Sequence, residues 1–140
     1  MFVKSASKES IQTHMSSLAN FAGLKITEVG EDFIGGEVTV AENNQQPYGI
    51  LHGGASCLIA ETLGSVAANL SLENPEEVAV GTSLYAAHLK SVFVGKKVYV
   101  KAYPKHLGRK TQVWNIDFKD ERDRMTCQVV FSVAIIEKRA

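Results

Sequence analysis

The second half of the chain alternates between apolar and polar residues, and this pattern constrains the fold more than any other feature. After Pro75 the alternation runs through four segments, which are residues 78–92, 97–103, 111–118 and 125–136. Successive side chains of a β-strand point to opposite faces, so period-two alternation predicts strands with one buried face. In the third segment Trp114, Ile116 and Phe118 share one face. We therefore expect most of the chain to form a sheet with an apolar side.

The first half supplies the remaining elements. Residues 24–28 and 33–40 are two further predicted strands, and residues 7–21 show the spacing of a short amphipathic helix that ends near Gly23. Residues 53 to about 72 are the long helical candidate, with apolar residues on nearly all faces, so we expect burial almost all round. The pattern predicts an α+β fold, with one long helix across one face of a five- to six-stranded, mostly antiparallel sheet. The uncovered part of the sheet predicts self-association.

The amino-acid composition excludes several classes of protein. With 140 residues the chain fits one domain, residues 1–140, and 45% hydrophobic against 21% charged residues excludes a disordered tail or a membrane bundle. Fifteen Lys and Arg balance fifteen Asp and Glu, which removes the electrostatic case for nucleic acid or an anionic membrane. The sequence shows no secretory signal, and Cys57 and Cys127 are typical of core residues in a reducing compartment, so we expect a cytoplasmic protein. The four histidines lack ligand spacing, and no metal or cofactor is expected.

The most informative residues surround the start of the long helix. Gly53 and Gly54 open it, so little side chain shields its first N–H groups, which can hold an anion or a developing oxyanion. The alternative is that the glycines only permit a tight turn. Glu61 lies mid-helix among small and apolar residues, where we expect partial desolvation, unless it simply reaches solvent. Gln46 and His52 lie close to the glycine pair in sequence.

The spacing of Gly53 and Glu61 bears on how they can act together. Eight residues of helix separate them by about 12 Å. A general base must approach within about 3 Å of the atom on which it acts. One chain therefore cannot readily bring both groups to the same atom, whereas two antiparallel helices across a two-fold axis can. We expect a composite site at a symmetric homodimer interface, two sites per dimer.

The run QPYGILHGGAS at residues 46–56, with Glu61 nine residues after His52, closely resembles the glutamate-dependent branch of the hotdog-fold acyl-CoA thioesterases. The likeness extends to GTSLYAAHLKS at residues 81–91 and PKHLGRKTQVW at residues 104–114, and so covers nearly the whole chain. The resemblance implies the hotdog fold, a long helix wrapped by an antiparallel sheet, with dimers that usually pair into tetramers. It also implies hydrolysis of an acyl-CoA to free acid and coenzyme A. The acyl group it implies is aromatic, such as 1,4-dihydroxy-2-naphthoyl, hydroxybenzoyl or phenylacetyl.

The resemblance also implies a role for each site residue. Glu61 matches the nucleophile or general base of the family. The backbone N–H of Gly53 matches the group that polarises the thioester carbonyl, and Gln46 the side chain that helps to hold it. His52 matches a histidine near the thioester and the attacking water. Ser65 matches a hydroxyl that assists the glutamate or the water.

Contacts with the coenzyme A nucleotide are expected at Lys90, Ser91, His106, Gly108 and Arg109. Arg109 departs from close relatives, in which a small hydroxyl residue often stands there. Guanidinium and ammonium groups suit phosphate oxygens, and Lys105 and Lys110 add to the basic group. The alternative is a solvated basic loop.

Two other functions remain open at this stage. Hotdog folds also serve as dehydratases or hydratases of hydroxyacyl thioesters, for which His52 and Glu61 would be the histidine and the acid. The second alternative is a non-catalytic acyl-CoA-binding module. A glutamate within an apolar helix argues against the binding module, because burying an unused carboxylate is costly.

Overall fold

The computed structural model describes residues 2–139 and contains nine helices and strands within that range. In chain order they are α1 (Lys8–His14), α2 (Ser17–Phe21), β1 (Lys25–Val29), β2 (Ile34–Thr39), α3 (Gly53–Leu70), β3 (Glu77–His88), β4 (Lys97–Leu107), β5 (Thr111–Lys119) and β6 (Met125–Glu137). The six strands form one antiparallel sheet in the order β1-β2-β4-β5-β6-β3. The predicted α+β fold with one long helix is confirmed. Within residues 2–139 no helix is both long enough and apolar enough to cross a membrane.

The core lies between α3 and one face of the sheet. Trp114, Ile116 and Phe118 of β5 are fully buried, as their shared face predicted. The helix sits close to the strands because Gly64 has no side chain: a Cβ there would lie 2.5 Å from the ring of Phe131 on β6. The absence of a side chain at Gly64 thus lets α3 pack directly against Phe131 at this point.

The helix α3 is less buried in the single chain than its composition predicted. Its buried residues form one stripe, composed of Ser56, Ile59, Ala60, Leu63, Gly64, Ala67 and Ala68. Glu61 is exposed. The expectation of burial almost all round is wrong for one chain, because a single sheet covers a single side of a helix.

The N-terminal helical segment is also divided where the sequence predicted one helix over residues 7–21. Met15 has an extended backbone with φ −69° and ψ 150°, and Ser16 caps α2 by accepting a hydrogen bond from the N–H of Ala19. A serine that bonds the backbone three residues on offers the chain an alternative to continuing the helix. The prediction of one helix rested on the helical spacing of Ile11, Met15, Leu18 and Phe21, of which Ile11 and Met15 are buried whereas Leu18 and Phe21 are exposed.

The strand β3 forms an open edge of the sheet. It pairs with β6 on one side, and the strand order ends there. Large apolar side chains are exposed along it and just beyond it, with Val80 39%, Tyr85 71% and Leu89 61% accessible. An edge strand of this length has unpaired N–H and C=O groups that can receive another strand. The predicted self-association has a suitable surface here, and it stays a prediction.

Candidate active site

The first turn of α3 leaves one backbone donor free. His52 is the N-cap: its ring Nδ1 accepts the N–H of Gly54 at 2.8 Å, and its carbonyl accepts the N–H groups of Ala55 and Ser56 at 3.0 and 3.2 Å. The N–H of Gly53 has no hydrogen-bond acceptor among residues 2–139. The positive end of a helix with an unpaired donor is an oxyanion-binding feature.

A cavity of about 280 Å³ adjoins this free donor. Gly53 and Gln46 both line it. The side-chain oxygen of Gln46 accepts a hydrogen bond from the N–H of Tyr48, which leaves the amide NH₂ of Gln46 as a second available donor. Two of the predicted carbonyl-binding groups therefore meet at one cavity, and together they can polarise a carbonyl.

The structure adds His88, at the end of β3, which the sequence interpretation did not select. A Cβ at Gly53 would lie 3.1 Å from Nε2 of His88, and Nδ1 of His88 lies 3.6 Å from Sγ of Cys127. His88 and Cys127 both line the cavity. Burial raises the pKa of the Cys127 thiol to about 11, with a further contribution from nearby Cys57. The sequence did contain one indication of a role for His88, because it lies in the segment 81–91 that takes part in the resemblance to the thioesterases.

Glu61 lies apart from this cavity within the same chain. It is two turns further along α3, about 12 Å from Gly53 by helix rise. Its Oε1 lies over β3, where a Cβ at Gly81 would be 2.8 Å away. The carboxylate is exposed, so the expected partial desolvation is not present in one chain, because the open edge of β3 leaves solvent beside it. Ser65, one turn beyond, is half-buried.

The predicted nucleotide-binding residues fall into two separate groups. Lys90 and Ser91 follow β3 and line the cavity with Gly53. They also border a second cleft of about 640 Å³, whose other basic residues are Lys96, Lys97, Arg122 and Arg124. The sequence interpretation did not select those four residues, because no spacing rule connects them.

The other group lies at the turn between β4 and β5. His106 packs over Gly108, where a Cβ would be 2.7 Å from its Nε2, and Arg109 is exposed in the same turn. The register places His88 opposite Cys127 of β6, and Thr111 opposite Ala134 of the same strand. Seven strand residues from 127 to 134 correspond to about 23 Å. One chain therefore does not bring Arg109 to Lys90.

Comparison with known proteins agrees with this architecture. Residues 48–127 match the Thioesterase superfamily. The chain is similar to the proofreading thioesterase EntH of Cronobacter turicensis, with 38% identity over 124 residues and 89% of each chain covered. It is also similar to the 1,4-dihydroxy-2-naphthoyl-CoA hydrolase of Escherichia coli, with 36% identity over 120 residues, 86% of this chain and 87% of that one.

A solved structure extends the likeness to the fold. The crystal structure of a thioesterase from Haemophilus influenzae has a TM-score of 0.90 and 36% identity, and the match covers 97% of this chain and 94% of that one. The matched family segment begins at the loop before α3 and ends within β6, so it contains the free Gly53 donor, Glu61 and His88. The chain therefore belongs to the thioesterase superfamily, and it is a thioesterase with the hotdog fold.

Proposed function

We propose that this protein, acting as one catalytic domain over residues 1–140, hydrolyses an aromatic acyl-CoA thioester to the free acid and coenzyme A. The observation that carries the proposal is the unpaired N–H of Gly53 in a cavity shared with the amide of Gln46. The name of the similar E. coli hydrolase supports an aromatic acyl-CoA as substrate.

The first element of the mechanism is a pair of donors for the thioester oxygen. The N–H of Gly53 and the NH₂ of Gln46 bind the carbonyl oxygen, and they bind it more tightly as negative charge develops on it. The helix dipole of α3 acts in the same direction. His52 keeps the N–H groups behind Gly53 occupied, so that Gly53 is the backbone donor that faces the substrate.

The second element is the carboxylate of Glu61. It either attacks the carbonyl carbon and expels the CoA thiolate, leaving a mixed anhydride that water hydrolyses, or it removes a proton from a water that attacks the carbonyl. Both routes consume one water and yield the acid and CoA, and both need the ionised carboxylate. Ser65 stands four residues after Glu61 on the same helix face, where its hydroxyl assists the carboxylate or the water.

The third element is a second copy of the chain. Gly53 lies beside His88 at one end of β3, and Glu61 lies over Gly81 nearer its other end. Antiparallel pairing of two β3 edges, with a two-fold axis at Leu84, sets Gly81 of one chain opposite Ala87 of the partner subunit, next to the partner's His88. This arrangement brings Glu61 of the partner subunit toward the free Gly53 donor, and the separation of about 12 Å within one chain supports it.

The same pairing bears on coenzyme A. Lys90 and the turn with Arg109 lie near opposite ends of the sheet, so an antiparallel partner carries its Arg109 turn toward Lys90. Their cationic groups then flank the nucleotide phosphates from two chains. Two such dimers pair into a tetramer, as the resemblance implies.

Subunit complementation tests the shared site. Homodimers of Glu61→Gln and of Gly53→Pro are each expected to be inactive, whereas a doubly tagged heterodimer contains one site with both lesions and one with none. We expect about half the wild-type rate of thiol release per dimer, because one of the two sites is intact. No recovery in the heterodimer would contradict the composite site. If each site lay within one chain, each subunit of the heterodimer would still carry a lesion in its own site.

The substrate class is tested by thiol release from benzoyl-, 4-hydroxybenzoyl-, phenylacetyl-, hydroxynaphthoyl- and aliphatic CoA esters. We expect an aromatic ester to show the highest kcat/KM and the activity to disappear in Glu61→Gln. A preference for aliphatic esters would contradict the aromatic assignment and leave the hydrolytic site standing.

A further inference from the structure

The two ring nitrogens of His88 have different surroundings. Its Nε2 faces Gly53 at the cavity, and its Nδ1 lies 3.6 Å from Sγ of Cys127. A neutral imidazole carries its proton on one nitrogen and accepts on the other. The partner at Nδ1 therefore decides whether His88 presents a donor or an acceptor to the cavity.

The geometry at Cys127 favours a thiol that donates. Cys127 is 4% exposed, and its backbone lies opposite His88 in the β3–β6 register, so the position of its side chain is fixed by strand pairing. The thiol keeps its proton at neutral pH because burial raises its pKa to about 11. Among residues 2–139, Nδ1 of His88 is the hydrogen-bond partner found for this sulfur. If Nδ1 of His88 were the donor instead, the S–H of Cys127 would be left without a hydrogen-bond acceptor in the core.

We propose that Cys127 is a positioning residue whose S–H donates to Nδ1 of His88 and so holds the imidazole proton on Nε2, at the cavity beside Gly53. His88 then supplies a hydrogen-bond donor to the bound thioester, in addition to Gly53 and Gln46. The use of this donor rests on the proposed hydrolytic function. The tautomer itself does not, because it follows from the contact in the free protein.

Nuclear magnetic resonance of protein labelled with ¹⁵N-histidine reads the tautomer directly. Long-range ¹H–¹⁵N correlations distinguish a protonated ring nitrogen from a bare one, and the His88 signals are identified by their loss in His88→Gln. We expect the Nε2–H form in the wild type and a mixture of both forms in Cys127→Ala. Cys127→Ser is expected to restore the Nε2–H form in part, since its hydroxyl can also donate and the exposed His88 ring can move toward it. Cys57→Ala, at the other cysteine, is the matched control and is expected to keep the wild-type tautomer.

Kinetics give a second readout on the same variants. Because Cys127→Ala loses one neutral hydrogen bond, we expect its kcat to fall about 5-fold while its KM changes little. We expect kcat to recover in part in Cys127→Ser. An Nδ1–H form in the wild type, or an unchanged Nε2–H form in Cys127→Ala, would overturn the proposal. A wild-type protein that shows the expected tautomer but releases no thiol from any ester would instead contradict the proposed function and leave the positioning contact in place.

Discussion

Replacing Gly53 with proline removes the free N–H from the start of α3 and adds a small ring beside His88. The nitrogen donates no hydrogen bond within residues 2–139, so no internal bond is broken. Proline is tolerated at the first position of a helix, and the preceding residue, His52, already has the extended backbone that proline requires, with φ −68° and ψ 130°. We expect the free energy of unfolding to change by no more than about 1 kcal/mol, as measured by urea denaturation.

The effect on catalysis is expected to be much larger. Loss of one oxyanion donor typically costs about 3 kcal/mol of transition-state stabilisation, which corresponds to a 10²–10³-fold fall in kcat. The assay is continuous thiol release from the preferred CoA ester, with kcat and KM determined separately. A fall concentrated in kcat is the signature of a group that binds the transition state more tightly than the substrate.

Gly53→Ala is the control, because it adds a Cβ and keeps the N–H. That Cβ would lie 3.1 Å from Nε2 of His88, and the exposed histidine side chain can yield by the few tenths of an ångström needed. We expect Gly53→Ala to lose less than about tenfold in kcat, because its donor remains. Equal activities of the proline and alanine variants would refute the role assigned to the N–H, since the alanine loss measures the steric share alone.

Further predictions concern the carboxylate, the nucleotide contact, the core and the buried thiol. Glu61→Gln should nearly abolish thiol release, because an amide neither attacks the carbonyl nor accepts a proton from water, while circular dichroism and the melting temperature stay close to wild type. Lys90→Ala should raise KM several-fold for the CoA ester but leave the N-acetylcysteamine ester unchanged, since that short substrate lacks phosphates; equal effects on both esters would contradict a phosphate contact. Gly64→Ala should destabilise the fold by about 1–3 kcal/mol in urea denaturation, because its Cβ would lie 2.5 Å from the fully buried ring of Phe131. The buried Cys127 thiol, with a pKa raised from 9.0 to about 11, should make the unfolding free energy fall by up to about 2 kcal/mol as pH rises from 9 to 11, since the unfolded chain loses this proton first; the fall should be smaller in Cys127→Ala.

Local patterns predicted the strands and the long helix of the fold. Period-two alternation located β3 to β6 within a few residues, and the face with Trp114, Ile116 and Phe118 is the buried one. The double glycine marked the first residue of α3 correctly. These predictions succeeded because the spacing of apolar residues along a segment records which of its sides is buried.

Features that depend on helix capping, or on which side of an element the rest of the chain covers, could not be predicted from such patterns. The chain breaks its N-terminal helix at Met15 because the side chain of Ser16 bonds the backbone of Ala19. Glu61 is exposed because β3 beside it is an edge strand, a consequence of the strand order. Neither the competition of a hydroxyl with a helical hydrogen bond nor the order of strands follows from hydrophobic spacing.

For the candidate site, the sequence by itself determined the chemical groups and their spacing along one helix. The helical spacing of Gly53 and Glu61, about 12 Å, predicts that one chain cannot readily bring both groups to the same atom, and the composite site stays a prediction. The His52 cap, which occupies the neighbouring N–H groups so that the one on Gly53 stays free, is also a local contact, although the spacing of residues did not reveal it. The tertiary structure alone decided that His88 and Cys127 meet beside Gly53. The physical reason is that helix rise is a local constant of the backbone, whereas contacts between distant residues depend on strand register and on how α3 crosses the sheet.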